Sequence, residues 1–276
     1  MANGHRGSKQ DELGFHVYSA CAVCVGAVLQ NQYRAASFAP CSLPIIGGES
    51  FSVVGAKSWP EGSPVLSFAS AETKVTGKDN DLGTEFTTEV SIHVRGLNIL
   101  GRIKGNIHVT LKFVYTKVDD QRDNDFVVTT IRSHLGPENE PFSDILIDDE
   151  KPPFTLNAAM YGPAGQNFKQ FKQDINSKRP NDQHIKHPHG RGKGDRHELV
   201  FTALAEPAAK LMYDAPNFGL HDYGDGLQVY FGEWHAEPYR QNLTLLRARF
   251  SNTTHKDTGN KFTGDIVIDE EVNGRG

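Results

Sequence analysis

Four histidines lie within one short, strongly basic stretch of the sequence. The segment NDQHIKHPHGRGKGDRHE places them beside four lysines and arginines (His184, His187, His189 and His197; Lys186, Arg191, Lys193 and Arg196). Imidazole is a common ligand of zinc, copper, iron and nickel, and His187 and His189 have the H-x-H spacing of a ligand pair. The carboxylate expected soon after such a pair is absent, since Glu198 lies nine residues beyond His189. A divalent metal at His187 and His189 is therefore one hypothesis, and a solvated basic loop is the favoured one.

The basic stretch carries a charge opposite to that of the rest of the chain. From Lys169 to Arg196, eight lysines and arginines stand against three aspartates, a local +5; the whole chain has −5, so the remainder carries −10. Interleaved glycines make the segment flexible, so ordering it costs entropy. No aromatic residues are interleaved as in single-strand nucleic-acid platforms, which argues against a nucleic-acid partner. The prediction is an electrostatic contact with an acidic protein or another copy of the chain, through Lys186, Arg191, Lys193 and Arg196.

A second pattern combines carboxylates with an imidazole. In HDYGDGLQVYFGEWHAEPYR, alternation along a strand places Glu233, His235 and Glu237 on one face. Such a face offers ligands for a divalent metal, or an acid and a base, and paired carboxylates are what glycoside hydrolysis uses. His221 and the histidine run are further candidates to assist this site. The pattern predicts, as an alternative function, a metal- or carboxylate-dependent enzyme of the hydrolase type.

Aromatic residues occupy the other positions of the same stretch. The alternation that groups the charged residues places Tyr230 and Trp234 together, with Gly232 between them. Exposed, the two rings would form a flat stacking surface for a sugar. The plainer interpretation buries the rings in the core and leaves the charged face in solvent, and it accounts for the pattern equally well.

Other short motifs in the sequence exclude several common kinds of metal, nucleotide and catalytic site. Cys21 and Cys24 form a C-x-x-C, but they fall on opposite faces of a strand and no second pair completes a zinc site. The oxygen-rich turns KDNDLG and VDDQRDND lack the spacing of a calcium loop. No phosphate-binding, nucleophile-elbow or dinucleotide pattern is present. Asn242-Leu243-Thr244 matches a glycosylation acceptor pattern that is common by chance. We therefore predict no cofactor, apart from the divalent metal considered above.

Strands are the elements that must position these residues. Val90, Ile92 and Val94 alternate with polar residues in TEVSIHVRG, and NIHVTLKFVYTK alternates in the same way. Gly96, Gly101 and Gly105 predict bends or bulges between these two strands. Many further short runs rich in Val, Ile, Thr and aromatic residues are bounded by Gly, Pro, Asn or Asp. We predict an all-β protein built from antiparallel β-sandwich or barrel-like units, with no membrane-spanning segment.

Helices are scarce, and one break divides the chain. An apolar stripe in NFKQFKQDINSK predicts one short helix, and EPAAKLMYD predicts another. The proline-rich KPPF follows DILIDDE, which matches the later DIVIDEE at five of seven positions. We predict two β domains, residues 14–150 and 154–276, the second carrying the basic histidine-rich loop. A single large β domain is the alternative.

Three segments follow one another in the N-terminal half. The first is an opening strand, GFHVYSACAVCVGAVL, and the second is a Pro–Gly–Gly segment, SLPIIGGESFSVVGA. The third is a strand that ends in a Leu–Gly turn, FTTEVSIHVRGLNILGRIKGNIHV. In this order they resemble the choice-of-anchor proteins, a group of secreted bacterial surface proteins. The resemblance covers about residues 14–115, implies an extracellular β-rich protein, and supplies no catalytic residues. No signal peptide or anchor tail is visible in the sequence.

These patterns together predict a non-enzymatic β-rich protein with a structural or binding role, and the resemblance implies that it is secreted or on the cell surface. Many short strands leave edges that can pair with another copy, so self-association is predicted. Carbohydrate is the predicted ligand class, and the Glu-x-His-x-Glu enzyme remains the alternative.

Overall fold

The structure is a computed structural model of the 276-residue chain. It describes residues 17–30, 34–82, 85–116, 126–132, 144–152, 199–202, 220–237 and 240–275. The predicted histidine run and both predicted short helices lie outside these residues.

Within the described residues the chain forms fifteen strands and no α-helix. In chain order they are β1 (Val17–Leu29), β2 (Arg34–Ser42), β3 (Gly48–Val54), β4 (Lys57–Trp59), β5 (Leu66–Phe68), β6 (Ser70–Asp79), β7 (Glu85–Ile99), β8 (Ile103–Thr116), β9 (Phe126–Arg132), β10 (Leu146–Ile147), β11 (Leu199–Thr202), β12 (Leu220–Asp222), β13 (Leu227–Glu237), β14 (Arg240–Thr254) and β15 (Lys261–Arg275).

The strands form two antiparallel sheets, which confirms the predicted all-β fold class. The first sheet has the order β11-β13-β14-β15-β1-β2, with β12 also beside β13. The second sheet is built around β7, which pairs with β8 on one side and with β5 and β6 on the other. Strands β3 and β4 form its edge, and β9 and β10 pair with β8.

The alternation read from the sequence sets the faces of the second sheet. Val90, Ile92 and Val94 of β7 are fully buried, while the residues between them are half-buried on the outer face. The predicted bulge is present: the register of β7 on β8 shifts between Val94 and Leu97. Gly96 lies in this shift with φ of +63°, a conformation that favours glycine.

A line of backbone irregularities crosses the first sheet. Cys24 and Val25 of β1 are consecutive and both fully buried, and so are Leu245 and Leu246 of β14. Each pair lies where the register on β15 shifts. On β13 the same level is occupied by Gly232, with φ of +60°. Each irregularity adds a residue to its strand, so the inward and outward faces exchange there. Alternation along the sequence therefore does not tell which residues before and after an irregularity share a face of the sheet.

One core lies between the two sheets, and strands from both ends of the chain contribute to it. Strands β1 and β2 pack on β6 and β7, and the core includes Leu29, Ile92 and Phe231. Strand β1 also pairs along its length with β15, near the opposite end of the chain. Residues on the two sides of the predicted break thus share a sheet and a core. The division into two β domains, residues 14–150 and 154–276, stays a prediction, as does the alternative of a single large domain.

Candidate functional site

The register of β13 on β14 keeps Glu233, His235 and Glu237 together. Their pairing partners are Thr244, Asn242 and Arg240, with no shift in register between them. Because directly opposed residues of an antiparallel pair share a face, these six positions lie on one side of the sheet.

Strand β15 extends this face by one more column. Asp269 is opposite Thr244, Glu271 is opposite Asn242, and Asn273 is opposite Arg240. The register therefore arranges nine positions in three rows across three strands, which we call the polar grid: Glu233, Thr244 and Asp269; His235, Asn242 and Glu271; Glu237, Arg240 and Asn273. Four of the nine are acidic and one is an arginine. Neighbouring columns are about 4.8 Å apart, the usual spacing of paired strands.

Asp269 is held in a fixed orientation within the polar grid. The Oγ1 hydroxyl of Thr244 donates to its Oδ1 at 3.1 Å, and the Nδ2 amide of Asn242 donates to its Oδ2 at 3.2 Å. Thr244 is only 2% exposed although it lies on the polar side of the sheet. Both donors are neutral side-chain groups, and together they fix the orientation of the Asp269 carboxylate.

The aromatic residues of β13 do not share a face as the sequence predicted. Tyr230 pairs with half-buried Arg247 on the outer face, whereas Trp234 pairs with Leu243, which is fully buried in the core. The irregularity at Gly232 lies between them and reverses the alternation. Tyr230 is also only 3% exposed, so its ring does not offer the exposed stacking surface considered for it.

Tyr230 instead takes part in a charged cluster beside the polar grid. The Arg249 guanidinium lies 5.8 Å from the centroid of the Tyr230 ring. Arg249 Nε also donates to Asp265 Oδ1 at 3.3 Å. Asp265 and Asp269 lie on the same strand and the same face. Asp265 is paired with Arg249, and Asp269 accepts hydrogen bonds from Thr244 and Asn242.

A second charged cluster joins the two sheets at another place. Arg102, which is 8% exposed, makes a bidentate contact with Asp148 through Nε at 2.9 Å and Nη2 at 2.6 Å. Its remaining donors reach the carbonyl oxygens of Tyr223 and Gly224 at 2.9 and 3.2 Å. Asp225 lies 4.0 Å away. Arg102 lies in the turn between β7 and β8 of the second sheet, and residues 223–225 lie in the turn between β12 and β13 of the first. We call the ion-pair clasp the group formed by these residues together with Lys104, Asp149 and Lys256.

Two lysines complete the ion-pair clasp around Asp149. Lys256 Nζ donates to Asp149 Oδ2 at 2.5 Å, and Lys104 Nζ donates to Asp149 Oδ1 at 3.4 Å. These hydrogen bonds lower the pKa of Asp149, and the hydrogen bond from Arg102 lowers the pKa of Asp148. The hydrogen bond with Asp148 in turn raises the pKa of Arg102. Every charge of the clasp therefore has a partner of opposite sign.

The turn between β12 and β13 positions the carbonyl groups of the clasp. Gly226 lies in this turn with φ of +73°, and a Cβ atom there would meet the carbonyl oxygen of Ser251 at 2.1 Å. Asp225 Oδ2 accepts a hydrogen bond from the backbone N–H of Thr254, and this bond lowers the pKa of Asp225. Only glycine fits at position 226, so the turn is locked against β14 and faces Arg102.

His221, which the sequence nominated to assist the Glu-x-His-x-Glu site, lies near the clasp rather than in the polar grid. It is half-buried on β12 and pairs with Val229, a core residue. Burial lowers the pKa of His221, and it raises that of neighbouring Tyr223 to about 12, helped by the charge of Asp148. The structure therefore separates His221 from positions 233, 235 and 237.

The cysteines occupy the faces that the sequence predicted. Cys21 is exposed, whereas Cys24 is buried and its pKa is raised to about 12 by that burial. The Cys24 thiol donates to the carbonyl oxygens of Glu72 and His93 at 3.4 and 3.3 Å. Cys24 is thus a packing residue between the sheets.

Clusters of three or more metal-ligating side chains are absent from the part of the chain whose side chains the structure describes, which does not include those of Glu233, His235 and Glu237. The histidine run lies outside the described residues, so the metal at His187 and His189 stays a prediction. The basic contacts predicted for Lys186, Arg191, Lys193 and Arg196 lie outside them as well.

Comparison with known proteins gives one finding. Residues 16–133 match a family described as a domain of unknown function (DUF8256). The match covers less than half of the chain and spans β1 to β9, so it includes the β1–β2 pair of the first sheet and most of the second sheet. No curated protein and no solved structure gave a significant match. The described part of the chain also holds no helix of the length and apolarity that a membrane crossing needs.

The residues that sequence reasoning missed are those brought in by distant strands. Asp269 lies in DIVIDEE, and the only feature of that segment in the sequence is its similarity to DILIDDE. Asn242 and Thr244 were noticed only as a glycosylation acceptor pattern, yet both bind Asp269. Their shared position on one polar face was the available signal, but it requires the pairing of β14 with β15.

Proposed function

We propose that this chain is a non-enzymatic binding protein whose ligand surface is the polar grid. The observation that supports the proposal is the Asp269 carboxylate, held by Asn242 and Thr244 beside the Glu233 and His235 positions. Binding sites are most precise when their polar groups are fixed by neighbouring hydrogen bonds on a rigid element. Asp269 meets both conditions because it lies within a strand paired on both sides.

Carbohydrate is the ligand class that this surface suits. Carboxylates accept hydrogen bonds from two hydroxyl groups at once, and Asn and His offer donors as well as acceptors. Adjacent hydroxyl groups of a sugar ring can therefore be met by groups on neighbouring columns of the polar grid. Hydrogen bonding rather than ring stacking would carry the recognition, since Tyr230 is buried. A secreted or cell-surface location belongs to this proposal and is supported by the resemblance of the N-terminal half.

Two aspartates on β15 provide the matched test of this proposal. Asp269→Asn removes a charge within the polar grid, whereas Asp265→Asn removes a charge from the same strand and face but outside the grid. We expect the wild-type chain to bind on a glycan array. We expect Asp269→Asn to weaken that binding at least about tenfold, as loss of a charged hydrogen-bond acceptor does. Asp265→Asn should bind like the wild type.

Two results would overturn the carbohydrate proposal. One is the absence of any glycan bound by the wild-type protein across the array. The other is an equal loss of affinity in Asp265→Asn and Asp269→Asn, which would trace the effect to net charge rather than to the polar grid. Thr244→Val sharpens the test, because it keeps the β-branched shape and removes one of the two donors that orient Asp269.

An enzyme acting on the same ligand is the second candidate. It is favoured by the register, which keeps Glu233, His235 and Glu237 on one face and places Asp269 two strands from Glu233. Glycoside hydrolysis requires two carboxylates on opposite sides of the scissile bond. Incubating the protein with a bound glycan and measuring new reducing ends distinguishes the two functions. If reducing ends are released and Glu233→Gln abolishes their release, the protein is an enzyme. If the glycan stays intact, the protein binds the glycan without cleaving it.

Self-association through the edge of the second sheet is also part of the proposal. The edge strand β3 exposes Phe51 and Val53 at 70% and 58%, and Ile45 and Ile46 precede it with similar exposure. An exposed apolar edge strand is a template for pairing with another chain. Light scattering at rising concentration should show dimers or larger species in the wild type and fewer in Phe51→Ser. A strict monomer at every concentration would exclude this part of the proposal.

A further inference from the structure

Two histidines face each other on the outer face of the second sheet. His93 of β7 is directly opposite His108 of β8. Their neighbours in sequence, Ile92 and Val109 among them, are buried in the core, so both imidazoles lie on the outer face, half-buried. The ring centroids are 3.4 Å apart and the ring planes are inclined at 54°. Contact between two imidazoles from adjacent strands brings two metal-ligating groups together.

The backbone around this pair is held firmly. In the next row of the same face, the hydroxyl groups of Ser91 and Thr110 are hydrogen-bonded at 2.9 Å. On the other side, Asn106 Oδ1 accepts the backbone N–H of Gly96 at 2.8 Å, which fixes the bulge that follows His93. The two histidines are thus presented at a set separation, and a ligand pair held in this way loses little entropy when it binds an ion.

We propose that His93 and His108 form a binding site for a divalent transition-metal ion. Imidazole nitrogen is a favoured ligand of Zn²⁺, Ni²⁺ and Cu²⁺, and Cu²⁺ binds most tightly of these. Each ring reaches the ion by turning about its Cβ–Cγ bond, a torsion with broad preferences. Water completes the coordination, because the site has two protein ligands. Glu72 is opposite His93 on β6 and exposed, so a carboxylate that can bind a coordinated water lies on the same row.

Copper is the probe that tests this site, and the histidine run must first be removed as a competitor. The background is the full chain with glutamine at all four histidines of the run (His184, His187, His189 and His197). We expect this background to bind Cu²⁺ at neutral pH, measured by calorimetry, with electron paramagnetic resonance showing nitrogen ligands. Adding His93→Gln or His108→Gln should weaken binding at least about tenfold, since loss of even an indirect ligand contact costs that much. His221→Gln, half-buried on the first sheet, is the matched control and should leave binding unchanged.

Three results would overturn the proposal: no Cu²⁺ bound by the background variant, unchanged affinity in both His93→Gln and His108→Gln, or an equal loss in His221→Gln. Thermal unfolding with and without Cu²⁺ keeps the test valid for a destabilised variant, because each variant is compared with itself. The midpoint should rise with Cu²⁺ in the background and not in His93→Gln. Binding should also disappear at acidic pH, because the ligand nitrogens must be unprotonated.

Discussion

The ion-pair clasp and the polar grid are both rich in acidic residues, but their charges are satisfied in different ways. In the clasp, Asp148 and Asp149 contact Arg102, Lys104 and Lys256. In the polar grid, four acidic positions share a face with one arginine position, and Asp269 is held by two neutral donors. The lysine and arginine contacts of the clasp join separate elements of the fold, whereas the hydrogen bonds from Thr244 and Asn242 orient the Asp269 carboxylate on the outer face of one sheet. We therefore expect the clasp to contribute mainly to stability and the polar grid mainly to ligand binding.

The largest effect expected from this contrast is the loss of stability in Arg102→Met. The substitution keeps most of the side-chain volume but leaves Asp148 and the carbonyl groups of Tyr223 and Gly224 without their donor. We expect a cost of about 3 kcal/mol, the low end for a buried ion pair broken from one side, because Arg102 is buried but the Asp148 side chain is 37% exposed. Urea unfolding should show that decrease in the free energy of unfolding. Arg249→Met is the control, since its exposed pair with Asp265 is worth less than about 1 kcal/mol. Equal losses in the two variants would remove the distinction between a structural and a surface arginine.

The next effect concerns pH and tests the charge of the clasp by itself. Asp148 has φ of +52°, which asparagine tolerates, so Asp148→Asn removes the charge without backbone strain. Because Arg102 lowers the pKa of folded Asp148, the pair stabilises the fold above the ordinary aspartate value of about 3.9. That stabilisation is lost as the pH falls through the lowered pKa. Unfolding curves from pH 6 to pH 2 should therefore converge for the wild type and Asp148→Asn at the acidic end. A constant difference across that range would show that the carboxylate charge contributes nothing.

Local patterns predicted the strands and the faces of short segments. Val90, Ile92 and Val94 alternate without interruption, and the core face of β7 follows from that alternation alone. The same reasoning placed Glu233 and His235 on one face, because no irregularity lies between them. It failed for Tyr230 and Trp234, since the exchange of faces at Gly232 depends on the matching irregularity in β14.

Contacts between distant parts of the chain could not be predicted in this way. The pairing of β1 with β15 joins the two ends of the described chain, and no local pattern specifies the partner of a strand. Asp269 enters the polar grid only through the register of β14 on β15, and Arg102 meets residues 223–225 only because the two sheets pack together. Both clusters are products of tertiary structure, which explains why the sequence nominated one column of the grid and none of the clasp.

A smaller effect is expected inside the polar grid. Thr244→Val removes the hydroxyl that donates to Asp269 and fills the same space with a methyl group. The loss of one hydrogen bond at a buried site should lower the free energy of unfolding by about 1 kcal/mol. Thr244→Ser keeps the donor and should recover part of that stability. No difference between the two variants would show that the hydroxyl of Thr244 does not hold Asp269.

The smallest effect on stability, and the sharpest contrast with the clasp, is expected for Asp269→Asn. Asparagine retains one acceptor oxygen for Thr244 or Asn242, and the substitution removes one negative charge from a face that also has glutamates at positions 233 and 271. These opposing contributions should keep the free energy of unfolding within about 0.5 kcal/mol of the wild type. Asp148→Asn, the same chemical change in the clasp, should be clearly less stable at pH 7. If Asp269→Asn were instead destabilised as strongly as Asp148→Asn, Asp269 would be a structural carboxylate like Asp148. If Asp269→Asn keeps the stability of the wild type but loses glycan binding, the charge of Asp269 serves ligand recognition.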